Sequence, residues 1–194
     1  MTGKRIRDTR KVSFKIAASS SPVLRLALIS DTHGFVDPCI VERVGDCDAA
    51  VHAGDIGDHA VLKALRPRRR RVLAVRGNND TPGKWPAADQ GVLNQLPREM
   101  EIILPGGTLV IVHGDRMLPA SARHDRLRQR YANARVVAYG HTHRMLVDRK
   151  ALPWVVNPGA AGRVRTFGGP SCAILEVSAR RWRVRLLRFA TSRE

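Results

Sequence analysis

Five short apolar runs in this chain each close on a glycine-flanked cluster of aspartate, asparagine or histidine. The runs are 23–29, 49–53, 72–75, 108–112 and 136–139. They end in Ser30-Asp31-Thr32-His33-Gly34, Gly54-Asp55, Gly77-Asn78-Asn79-Asp80, His113-Gly114-Asp115 and Gly140-His141-Thr142-His143. Continuous apolar runs this short, bounded by turn residues, read as strands buried on both faces. Helical stretches over 38–44, 59–65 and 120–134, the last being the longest, separate several of them. The chain therefore reads as α/β. A hairpin across Pro105-Gly106-Gly107 joins 100–104 to 108–112. Residues 81–90, with Pro82, Gly83 and Pro86, read as loop. The last third reads as strands only, ending in a hairpin over Ser178-Ala179-Arg180.

A chain of 194 residues can bury one real core. Residues 23–190 read as a single domain. Residues 1–22 read as a basic, disordered tail, with Lys4, Arg5, Arg7, Arg10, Lys11 and Lys15 against Asp8 alone. The net charge of +17 fits polyanionic substrates or partners, and it equally fits an arginine-rich genome. Cys39, Cys47 and Cys172 are sparse and odd in number, which excludes a disulfide framework and fits a reducing, cytoplasmic location. No apolar run approaches the ~20 residues of a membrane span.

In open α/β sheets, sites form outside the carboxyl ends of the strands. The five clusters can thus gather on one rim. An isolated His-x-His such as His141 and His143 reads either as a turn or as a metal site. Four of the seven histidines, His33, His113, His141 and His143, fall in these clusters, which favours metal. Mixed oxygen and nitrogen donors without cysteine suit Mn²⁺, Fe, Zn²⁺ or Ni²⁺. Asp31, His33, Asp55, Asn78, His113, His141 and His143 are too many for one tetrahedral ion and about right for two. Two divalent ions would leave surplus positive charge, which attracts a phosphate ester and acidifies a water.

These five blocks, in this order, resemble the calcineurin-like metallophosphoesterase superfamily, and the short chain with its Asn157-Pro158-Gly159 turn resembles the small bacterial and archaeal phosphodiesterase branch. The resemblance spans 24–189. It implies a four-layer α/β/β/α sandwich of two mixed sheets flanked by helices, and two divalent ions, with Mn²⁺ foremost. It also implies that Asp31, His33 and His143 hold the first ion, that Asn78, His113 and His141 hold the second, and that Asp55 bridges them. The implied reaction is hydrolysis of a phosphodiester by a metal-bound hydroxide. Asn79 stands where many members have a histidine that protonates the leaving alcohol, help worth about 10²–10⁴-fold. Asn79 is expected to hydrogen-bond a phosphate oxygen instead, and Asp80 to be structural.

Arg165, with Arg163, follows the Asn157-Pro158-Gly159 turn near the same rim and is a candidate phosphate contact. His52 reads as a core or supporting histidine, and His59 and His124 as helix-start and helix-surface residues. Two other functions stay open: a scaffold that keeps the fold without catalysis, and a nuclease that binds nucleic acid through Arg66 and Arg68 to Arg71. The sequence leaves both a monomer and a homo-oligomer open.

Overall fold

The computed structural model describes residues 12–17 and 23–190. In chain order the strands are β1 (Val12–Lys15), β2 (Leu24–Ile29), β3 (Ala49–His52), β4 (Arg71–Ala74), β5 (Glu99–Leu104) and β6 (Gly107–Val112), then β7 (Val136–Ala138), β8 (Leu146–Asp148), β9 (Trp154–Asn157), β10 (Ser171–Val177) and β11 (Trp182–Arg188). The helices are α1 (Pro38–Gly45), α2 (His59–Ala64), α3 (Gln90–Gln95) and α4 (Arg123–Arg130). One sheet has the order β11-β10-β2-β3-β4, the other β1-β5-β6-β7-β9-β8. Both are mixed. β2, β3 and β4 run parallel, as do β6, β7 and β9, so each sheet collects its ligand-bearing strand ends along one edge.

Side chains alternate across a strand, and here both faces are covered. Leu26 and Leu28 of β2 turn toward Ile102, Leu109, Ile111 and Val136 of the opposite sheet. Ala27 and Ile29 turn outward, onto Ile40 and Val44 of α1, Val61 of α2 and Leu93 of α3. On the far side, Val110, Val137 and Val155 pack under Leu127 of α4. These three cores make the four layers, and they explain why β2 and β7 read as unbroken apolar runs.

Several local readings need correction. The helix expected over 120–134 is helical only over Arg123–Arg130, after one 3₁₀ turn at Ala120–Ala122, and it stops at Tyr131, whose φ is −120°. The loop expected over 81–90 contains a 3₁₀ turn at Ala87–Asp89 that leads into α3. Val12–Lys15, expected in the tail, form an edge strand parallel to β5. The arginine run helps to hold that segment: Arg69 donates to the Ala17 carbonyl at 2.9 Å and Arg71 to the Lys15 carbonyl at 3.2 Å. The rest of the expected tail, residues 1–11 and 18–22, lies outside the described residues. Among the described residues no helix is long and apolar enough to cross a membrane.

Candidate metal centre

The site loops after β2, β3 and β7 leave their strands through a backbone conformation that L-residues seldom adopt. Asp31, His33, Asp55, His141 and His143 all have φ between 48° and 67°, and so does Arg165 at 51°. A non-glycine residue there costs on the order of 1–3 kcal/mol. Only Arg70 and Phe167 share this feature among the other described non-glycine residues. The strain is concentrated where the sequence placed the ligands.

The loops interlock. Asp31 N–H donates to the Gly54 carbonyl at 3.0 Å, Gly140 N–H to the His113 carbonyl at 3.1 Å, and His141 N–H to Asp31 Oδ1 at 3.1 Å. The last two bonds tie β6 and β7 to each other and to β2 of the other sheet. Two of the flanking glycines are needed for close approach. A Cβ on Gly77 would overlap the Asp55 carboxylate, and one on Gly140 would come within 2.8 Å of Asp31 Oδ2.

Seven side chains converge in two adjoining groups. In one, His143 Nε2 lies 3.2 Å from His33 Nε2 and 3.4 Å from Asp31 Oδ1. In the other, Asn78 Oδ1 lies 3.1 Å from His113 Nε2 and 3.0 Å from His141 Nδ1. Asp55 Oδ2 sits between them, 3.9 Å from His33 Nε2 and 3.3 Å from His113 Nε2. His143 therefore neighbours His33 and Asp31, and His141 neighbours Asn78.

Second contacts fix the ring tautomers. His113 Nδ1 meets the Ala53 carbonyl and His143 Nδ1 the Val164 carbonyl, each at 2.9 Å. A carbonyl only accepts, so both Nδ1 atoms carry the proton and both Nε2 atoms turn inward. Burial pushes the Asp31 carboxyl up to about 7. His143 is lowered to about 4, first by burial and then by Arg165 and His33, against the pull of its carbonyl bond. Burial opposes charge on His113 as well, but the hydrogen bond and charge of Asp55, with Asp31, raise it to about 9. Burial works against the Asp55 charge too; His113 and Asn79 outweigh it and hold that carboxyl well below the usual range.

Divalent ions fit this arrangement. Asp31 Oδ2 is buried and has no hydrogen-bond partner. Donor atoms of Asp31, His33 and His143 lie within 4.8 Å of one another, and so do those of Asp31, Asp55 and His113. Oxygen and imidazole donors without thiolate suit a divalent ion of hard or borderline character.

The remaining expected residues divide. Asn79 is at the centre but faces Asp55: its backbone N–H donates to Oδ1 at 2.8 Å and its amide to Oδ2 at 2.7 Å. Its side-chain Oδ1 accepts from Lys84, which lies in an irregular loop where no sequence pattern marks it. Arg165 reaches the centre, with Nη2 3.1 Å from His143 Nε2, whereas Arg163 stacks on Phe35. Asp80 is structural, as expected: it accepts from the backbone of Ile56, Gly57 and Gly77 and from the Trp85 indole. His52 is wholly buried, bonded to Thr32 Oγ1 at 2.9 Å and to Gly54 N–H at 3.2 Å. His124 lies on α4 with a partly exposed side chain, as expected, but it is also bonded on both ring nitrogens. It links Asp148 (2.8 Å) to the Tyr139 hydroxyl (2.9 Å).

The sequence profile of the calcineurin-like phosphoesterase superfamily domain matches residues 24–180. The chain belongs to this superfamily. No curated protein matches its sequence significantly. Among solved structures of this superfamily's fold, a Thermotoga maritima protein is similar at 26% identity, over 86% of this chain and 99% of its own, with a TM-score of 0.62. A novel archaeal phosphodiesterase is 22% identical, covering 84% of this chain and all (100%) of its own, with a TM-score of 0.61. Entamoeba histolytica Vps29 in complex with zinc is 17% identical, covering 86% and 98%, with a TM-score of 0.64. The expected family and sandwich fold are thus borne out.

Proposed function

We propose that this calcineurin-like phosphoesterase is a dinuclear metal-dependent phosphodiesterase. The observation that carries the reading is the position of Asp55, whose Oδ2 lies between the two histidine groups. Asp31, His33 and His143 would hold one divalent ion, and Asn78, His113 and His141 the other, with Asp55 shared. Mn²⁺ is the favoured metal, with Fe, Zn²⁺ or Ni²⁺ as alternatives. Bound ions supply positive charge to the phosphate oxygens and lower the pKa of a water.

The chain's own groups do the rest. The Ala53 and Val164 carbonyls orient His113 and His143, and Asn79 pins both oxygens of Asp55. Arg165 donates to the lone pair of His143 that an ion would take, so ion and guanidinium compete for that atom. Once displaced, its fork is free to hold a phosphate oxygen at the rim. Asn79 is then a positioning residue more than a substrate contact, because its amide is already spent on Asp55 and Lys84. Three unpaired cysteines accord with a cytoplasmic protein.

The test is turnover of bis-p-nitrophenyl phosphate by purified protein reloaded with Mn²⁺. Turnover in wild type and its loss in Asp55→Ala are expected; an inert wild type, or an equally active variant, would sink the reading. A second reading, a scaffold on the same fold, is favoured by the likeness to a vacuolar protein sorting protein. The same assay separates the two.

A further inference from the structure

A cavity of about 450 Å³ adjoins the candidate metal centre and shares His113 and Gly114 with it. That size lies within the roughly 300–1,000 Å³ typical of small-ligand sites. One wall is the loop after β6, with Asp115, Arg116 and Met117; the other is α4 and the turn beyond it, with Arg126, Arg130 and Tyr131. Arg130 is already committed, bonded to the Glu99 carboxylate and the Tyr131 hydroxyl, each at 2.9 Å. Arg116 and Arg126 are exposed, and neither side chain makes a hydrogen bond or ion pair among the described residues. Asp115 offsets one of their charges. Two guanidinium groups thus flank an opening with the apolar surfaces of Met117 and Tyr131 behind them.

We propose that this cavity receives one arm of a phosphodiester that bears a second phosphate. Arg116 and Arg126 hold that second phosphate while the ester phosphorus lies at the metal centre. The proposal rests on the phosphodiesterase reading and names the substrate class for the same site. Each guanidinium offers a planar fork that matches phosphate oxygens. The Met117 and Tyr131 surfaces suit a base or another apolar arm. A 5′-phosphorylated dinucleotide and a dinucleoside diphosphate share this chemistry.

The test compares kcat/KM for dithymidylate, 5′-phosphorylated dithymidylate and diadenosine diphosphate, using Mn²⁺-loaded protein. Wild type should favour the phosphorylated dinucleotide over the plain one by about tenfold, the scale of a screened charge-assisted contact. Arg116→Ala/Arg126→Ala should bring that ratio close to one. Arg181→Ala/Arg183→Ala, which removes the same charge from exposed positions just before and within the start of β11, should preserve it. A loss in the double variant confined to diadenosine diphosphate would support the proposal with a diphosphate-linked source. Loss for neither substrate would overturn it. Calorimetric titration of metal-free protein with ADP reads the cavity apart from turnover. If wild type is inert on bis-p-nitrophenyl phosphate, the phosphodiesterase reading falls alone. ADP binding that disappears in Arg116→Ala/Arg126→Ala then supports the cavity, and binding that persists overturns it.

Discussion

The two halves of the candidate centre use similar residues in unlike surroundings. Asp31 and His143 are almost fully buried, and His33 closes that group with Arg165 against it. On the other side only His113 is buried; Asn78 is exposed and His141 is partly so. The first group has a carboxylate of its own, while the second depends on the shared Asp55. A higher ligand charge in a more enclosed position binds a divalent ion more tightly. We therefore expect the first ion to be resident and the second, beside the basic cavity, to exchange. The difference teaches that sites with matching donor counts need not be equivalent, because burial and charge are set by the loops around them.

The largest effect should come from removing what the two halves share. Asp55→Ala should lower activity on the order of 10³-fold, comparable with losing a principal transition-state contact. It should also weaken both ions, seen by metal titration. Loss of one ion with the other unaffected would show that Asp55 belongs to a single half.

Acidity should separate the halves next. The first ion must displace the proton of Asp31, raised to about 7, and the second that of His113, raised to about 9. Protonated ligands do not coordinate, so affinity rises with pH by about tenfold per proton per unit below the ligand's pKa. First-ion affinity should therefore level off near pH 7, while second-ion affinity goes on rising toward pH 9, by about 100-fold. A bound first ion repels the His113 proton and moves that upper limit down. Parallel profiles for the two ions in calorimetry would contradict the contrast.

A smaller effect should follow from Asn79→Ala. Asn79 touches neither histidine group and acts through Asp55, so both affinities should fall, by about 10–100-fold, as for other residues that orient a ligand. Asn79→Asp, which brings a carboxylate against Asp55, should do worse than alanine. Loss confined to one ion would make Asn79 part of that half instead.

What was legible in the sequence follows from range. The ligands could be read because each is local: an apolar run, a glycine and a donor lie within a few residues, as in Gly54-Asp55 and Gly140-His141-Thr142-His143. The family resemblance then added the two-sheet fold, which the strands alone do not declare, since pairings such as β1 with β5 join residues far apart. β1 was hidden by its basic surroundings. α3 was hidden by Gly91 and Asn94, poor helix formers that packing of Leu93 overrides. Lys84 and the second role of Asn79 depend on how a proline-bearing loop folds back on Asp55. The positive φ angles were invisible as well, because glycine marks only the neighbouring positions.

The central claim is that two rings one residue apart, His141 and His143, serve different ions. Metal stoichiometry tests it most directly, measured by equilibrium titration with Mn²⁺ up to saturation on wild type, His141→Ala, His143→Ala and the double variant. The account predicts about two ions per chain in wild type, about one in each single variant and none in the double. A double variant that still retains one ion would place both rings on the same metal and contradict it.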